Sequence, residues 1–110
     1  MANTFKLNTK AGGAVAANTD ITVLTATTTT ILIGLTIANK VTNAITVDVK
    51  LESSTSGNAN VNIGQNLPIP SGSSLDALAG KVCLNTGDIL KIQSDTANSM
   101  DIALSIMEIT

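Results

Sequence analysis

The chain has 110 residues, 44% of them hydrophobic, 1% aromatic and 13% charged, with a formal net charge of -2 and every basic residue a lysine. That length suits one domain able to bury roughly two-thirds of the surface its unfolded form exposes. Without arginine there is no bidentate fork for phosphate or guanine, which argues against a nucleic-acid partner, and without histidine most enzyme mechanisms lose their general base.

The first stretch, residues 1–19, holds small and polar residues around Ala11-Gly12-Gly13-Ala14 and shows no sustained period. It is expected to be a flexible N-terminal arm, extended and partly exposed, with residues 20–110 forming the folded domain. From Asp20 to Thr25 the chain is β-branched, and after Ala26-Thr27-Thr28 an apolar run from Thr29 to Asn39 predicts a longer strand. Strict alternation places Ile31, Ile33, Leu35 and Ile37 on one of its faces, and Leu32, Gly34, Thr36 and Ala38 on the other. The clearest strand runs from Ile45 to Ser53, where Ile45, Val47, Val49 and Leu51 alternate with Thr46, Asp48, Lys50 and Glu52.

A loop at Ser53 to Asn58 precedes a short strand from Asn60 to Leu67, and Pro68-Ile69-Pro70-Ser71-Gly72 is expected to turn a corner because neither proline can donate to a ladder. Ser73 to Leu78, Lys81 to Leu84 and Ile89 to Ser94 are further short strands, separated by turns at Ala79-Gly80 and Asn85-Thr86-Gly87-Asp88. In the last strand, Met100 to Ile109, residues Ile102, Leu104 and Ile106 share one side while Ala103, Ser105, Met107 and Ile109 share the other, a pattern expected of a strand covered on both faces. About eight short strands with turn signals between them predict an all-β fold, an antiparallel β-sandwich or jelly-roll, with a small closed barrel as the alternative.

No residue set stands out as catalytic, cofactor-binding or metal-binding. The two glutamates, Glu52 and Glu108, are expected on a strand's wet face and at a strand end rather than as a paired acid and base. Asp95, Asn98 and Asp101 lack the spacing of a calcium loop and are expected in a hairpin turn. Gly12-Gly13 and Gly87-Asp88 are turns, since neither is followed by the lysine or the helix start of a phosphate cradle. Cys83, the single cysteine, cannot form an internal disulfide and is expected to be packed between Val82 and Leu84, with synthesis in a reducing compartment. The run Thr27 to Thr30 is ordinary β-propensity. No signal-type start and no apolar run of membrane length is seen. The low charge leaves little electrostatic self-repulsion and points to a homo-oligomer; a trimer is the expected order, which the charge itself does not set.

Several segments resemble the small virion structural proteins of tailed bacteriophages, of the marine and cyanobacterial phage type. They are Asn66-Leu67-Pro68-Ile69-Pro70-Ser71-Gly72-Ser73-Ser74-Leu75, Leu78-Ala79-Gly80-Lys81-Val82, Leu84-Asn85-Thr86-Gly87-Asp88-Ile89-Leu90-Lys91-Ile92, Thr28-Thr29-Thr30-Ile31 with Leu35-Thr36-Ile37-Ala38-Asn39, and the closing Met107-Glu108-Ile109. Where that type carries an aromatic ring, this chain has Val23, Leu24 and Val61. The resemblance implies a non-enzymatic β-sandwich on a virion, made in the host cytoplasm. It would be a capsid decoration (cement) protein bound to the major capsid protein, or else a neck, collar or tail accessory. A host-surface binding module is the remaining alternative, weakened by the missing Trp and Tyr. The resemblance transfers no catalytic residue and implies no cofactor, no membrane and no nucleic acid. The partner-binding residues are left unknown, with the loop tips at Ser54 to Asn60 and Ala97 to Ser99 expected to face outward.

Overall fold

The computed structural model describes residues 3–12, 16–78 and 80–109. Parts of the expected arm and of two expected turns, at Gly13 and Ala79, lie outside them. The described residues form nine strands: β1 (Asn3–Ala11), β2 (Ile21–Thr25), β3 (Thr29–Asn39), β4 (Ile45–Glu52), β5 (Val61–Ile69), β6 (Ser74–Asp76), β7 (Val82–Leu84), β8 (Ile89–Ser94) and β9 (Met100–Ile109). Among the described residues no helix forms.

One sheet has the order β1-β9-β3-β6, with β7 also paired to β3, and the other has the order β2-β8-β4-β5. All pairings are antiparallel. β6 and β7 lie along the same edge of β3, at Thr36 to Ala38 and at Leu32 to Thr30, so together they occupy one strand position. Counted that way the sandwich has eight positions in jelly-roll order, and its sheets keep open edges instead of closing into a barrel. Within the segment expected to be an arm, Asn3 to Ala11 pairs along its whole length with β9. The strand has no apolar alternation facing the core, which is why pattern alone did not single it out.

The core is aliphatic. Leu32, Leu35 and Ile37 of β3, Val47 and Val49 of β4, Leu90 and Ile92 of β8, and Ile102, Leu104 and Ile106 of β9 are buried between the sheets. Each such side chain contributes about 1.5–3 kcal/mol relative to an exposed one. Phe5, the one aromatic residue, lies outside the core at 72% exposure.

Four expectations are corrected. First, β3 does not keep one parity: its register with β9 shifts between Leu32 and Gly34, so Leu32, Leu35 and Ile37 face inward while Ile31 and Ile33 face outward. A β-bulge adds one residue and flips every side chain beyond it, and Gly34 was its local cue. Second, β5 runs through Pro68 to Ile69, because this edge strand tolerates a missing donor; the turn begins at Pro70, where the Ser73 amide donates to its carbonyl at 3.1 Å. Third, the expected turn at Asn85-Thr86-Gly87-Asp88 and the expected hairpin turn after Asp95 both cross between sheets, since β7 and β9 belong to one sheet and β8 to the other. Fourth, Ser99 is buried, although Ala97 and Asn98 are exposed.

The crossovers are closed by buried polar groups. At the β7 to β8 turn Gly87 has φ +93°, and the Asp88 carboxylate accepts from Ser53 Oγ at 2.8 Å and from the Asn85 amide at 3.0 Å. Replacing Asp88 with alanine is expected to cost about 2 kcal/mol, since a half-buried hydroxyl and a turn amide lose their acceptor. Urea unfolding measures the loss. At the β8 to β9 crossover the Ser94 and Ser99 hydroxyl oxygens are 2.6 Å apart, and Ser99 Oγ donates to the Thr96 carbonyl at 2.7 Å.

Candidate functional site

The side chains that chemistry would need are held apart by the fold. Glu52 ends β4 in one sheet and pairs with Lys91 at 3.0 Å, whereas Glu108 lies on β9 in the other and pairs with Lys6 at 2.8 Å. Each glutamate is matched by a lysine, and the two do not face a common cleft. Among the described residues no group of three His, Cys, Asp or Glu side chains could hold a metal ion. Every buried side-chain nitrogen and oxygen there has a hydrogen-bond partner. No helix among them is long and apolar enough to cross a membrane.

Asp95 and Asp101, singled out with Asn98 as oxygen donors, have separate structural partners. Asp101 pairs with Lys40 at 3.4 Å, and Asn98 takes φ +54° in the turn. Asp95 accepts from the Thr46 amide at 3.1 Å and from Thr96 Oγ1 at 3.0 Å. The Thr46 amide foremost holds the Asp95 carboxyl below its ordinary value, against a smaller opposing effect of burial. A depressed folded pKa stabilises above the unfolded value, and the gain is lost as pH falls through the folded one. Asp95→Asn is therefore expected to lower Tm slightly at pH 7 and to match the parent in strong acid, below the depressed pKa. Paired thermal melts across that range would show it.

Cys83 corrects the sequence reading: it is exposed. Val82 and Leu84 point inward opposite Leu32 and Thr30, so the residue between them must point out, opposite Ile31. The alternation was present in the sequence, but it was read as enclosure on both sides.

The feature that sequence analysis missed is the outer face of the β1-β9-β3 sheet. Residues directly paired in an antiparallel ladder share a face, so the register places Phe5, Met107, Ile31 and Cys83 in one row across all four strands, β1, β9, β3 and β7. Leu7 and Ser105 follow in the next row, beside the bulged Ile33. Phe5, Leu7 and Ile33 are 72%, 65% and 38% exposed. Toward the other end of the strands the face becomes a shallow depression of about 350 Å³ lined by Thr9, Ala11, Thr36, Ala38 and Ala103. Charge enters this face at that end, with Asp101 and Asp76 opposite Ala38 and Thr36. The reverse side of β1 carries Thr4, Lys6, Asn8 and Lys10, so this strand points its apolar residues away from the core.

No protein-family model matches the sequence, and no curated protein sequence is similar to it. Solved structures share the fold, among them two at a TM-score above 0.5. One is a chain from the Bacillus endospore appendages, which form a family of disulfide-linked pili; it is 14% identical, with a TM-score of 0.51 over 97% of this chain and 86% of that one. The other is a chain from the structure of infectious bursal disease virus, Gx strain, 13% identical with a TM-score of 0.53 over 94% of this chain. The present chain spans about a third of that viral chain's length, 32%. At these identities the likeness is one of fold.

Proposed function

We propose that the chain is a non-enzymatic structural subunit, a capsid decoration (cement) protein that binds the outer surface of a tailed-phage capsid lattice in many copies. The observation that carries the structural role is the outward apolar row through Phe5, Met107 and Ile31, on a sheet whose other side already supplies the core. An outward row of that kind, with its one ring 72% exposed, is a surface suited to being covered. The fold it shares with a pilus chain and with a chain of a virus agrees with assembly as the task. The phage-type segments of the sequence support the virion as location, and among its positions the low charge and the missing catalytic chemistry favour the capsid surface, with the major capsid protein as partner.

Lattice binding does not need a tight single contact. Many copies on a repeating surface convert weak sites into durable coverage by effective concentration. The reading is tested by counting copies of the chain per purified particle, by quantitative mass spectrometry against the major capsid protein. A near-stoichiometric ratio is the expected result. A few to tens of copies would move the subunit to the neck, collar or tail, and absence from particles would overturn the virion assignment.

A further inference from the structure

We infer that β1 is a homodimer edge: the β1 strands of two copies pair antiparallel across a two-fold axis, with Leu7 facing its own counterpart. The two copies' β1-β9-β3 sheets then become one continuous sheet. The inference deepens the assembly reading by naming a second copy of this chain as one partner, and it rests on that reading only for the expectation that the chain associates at all.

Three observations lead to β1. The first is its open edge. Among the described residues β1 is paired on one side only, with β9, and its nine residues keep an unbroken register. A long, regular edge strand offers a row of unpaired amides and carbonyls to another strand. The other edges are blunted: β2 is five residues long and carries a bulge between Thr22 and Leu24, β6 and β7 are three residues each, and β5 has two register shifts against β4 together with Pro68 and a left-handed Asn66.

The second observation is the inverted polarity of β1. Thr4, Lys6, Asn8 and Lys10 lie on the side of the sheet that carries the core, while Phe5 and Leu7 lie on the open side. A strand that served only to extend its own sandwich would put apolar residues inward. In a two-fold pair the Phe5 and Leu7 side chains of both copies form one apolar strip along the seam, continuous with Met107.

The third observation is charge placement, which fixes the register and favours a like partner. With Leu7 opposite Leu7 the two strands overlap fully: Phe5 meets Thr9, Lys6 meets Asn8, and Thr4 meets Lys10. No lysine faces another. Sliding one strand by two residues in either direction, the smallest step that keeps both apolar faces on one side, sets Lys6 against Lys6 or Lys6 against Lys10. Like charges directly opposite in a ladder are destabilising. The register of greatest overlap is thus also the one without repulsion, and it is an isologous contact of the kind a two-fold dimer requires.

The test uses the full chain. Sedimentation equilibrium is expected to give twice the 11.2 kDa chain mass, and Leu7→Lys, at an exposed position, is expected to weaken the dimer about tenfold by opposing two lysines across the axis. Ile33→Lys, on the same face but away from the edge, is expected to leave the mass unchanged. In a Cys83→Ser background, Leu7→Cys should form a covalent dimer under mild oxidation, because directly opposed Cα atoms about 4.5–5.5 Å apart suit a disulfide. Phe5→Cys and Thr9→Cys should each give no covalent dimer alone and crosslink when mixed. A monomeric mass, a trimer without the Leu7→Cys crosslink, or a loss of dimer with Ile33→Lys but not with Leu7→Lys would overturn the β1 edge. A monomer that still coats capsids would leave the decoration reading standing, and a dimer absent from particles would do the reverse.

Discussion

Leu104→Ala is expected to cost about 4 kcal/mol of stability and to lower Tm by roughly 15–20 °C. Leu104 is wholly buried on β9, between Asn8 of β1 and Leu35 of β3 in the ladder, and faces the opposite sheet. Its surroundings are aliphatic, with no ring able to tilt into the space left behind, and β9 is held on both sides by long ladders that resist collapse. The cavity therefore stays open and the cost lies toward the upper end for such substitutions. Ser105→Ala, one residue on and exposed on the other face, is expected to change stability by less than about 0.5 kcal/mol. Guanidinium unfolding of both variants supplies the comparison. A Leu104→Ala cost below about 1 kcal/mol would mean that the two sheets are not packed as described.

The contrast between these neighbours also marks how far the sequence could be read. In β4 strict alternation names the buried face correctly, because the strand keeps one parity and has a partner on each edge, whereas β9, expected to be covered on both faces, buries Ile102, Leu104 and Ile106 and leaves Ser105 exposed on the other. In β3 the same rule assigns Ile31 and Ile33 to the core, and the bulge before Gly34 reverses them. A bulge is a pairing event, and one strand's sequence carries only the glycine as a hint of it. The crossovers were legible as turns but not as changes of sheet, since Asn85-Thr86-Gly87-Asp88 has the composition of a hairpin and sheet membership is decided by distant partners. The candidate surface was harder still. Its row joins Phe5, Met107, Ile31 and Cys83, four residues from four segments, none conspicuous alone. β1 was passed over because its pattern is amphipathic in the wrong sense for a strand that serves its own core, and that inversion becomes visible only when β9 shows which way is in.

A second large effect is expected at Asn39, where the fold depends on one side-chain amide. Asn39 is buried at the end of β3; its Nδ2 donates to the Asn43 carbonyl at 2.8 Å and to the Ile69 carbonyl at 3.0 Å, and its Oδ1 accepts from the Val41 amide at 2.9 Å. One group thus ties the β3 to β4 crossover to itself and to the end of β5, in the opposite sheet. Asn39→Ala leaves two carbonyls and an amide without that partner and is expected to cost about 3 kcal/mol. Asn39→Asp separates hydrogen bonding from volume. The carboxylate can still accept from Val41, but it faces two carbonyl oxygens in a buried site, which raises its folded pKa above the unfolded value. Such a group destabilises most at neutral pH, and the penalty shrinks as pH falls and the carboxyl takes up a proton that it can donate to one of the carbonyls. Relative to the parent, Asn39→Asp is therefore expected to recover stability between pH 7 and pH 4, while Asn39→Ala keeps a constant deficit. Parallel melts at the two pH values decide it, because loss of shape alone would move both variants together, whereas the two donated bonds predict that they diverge.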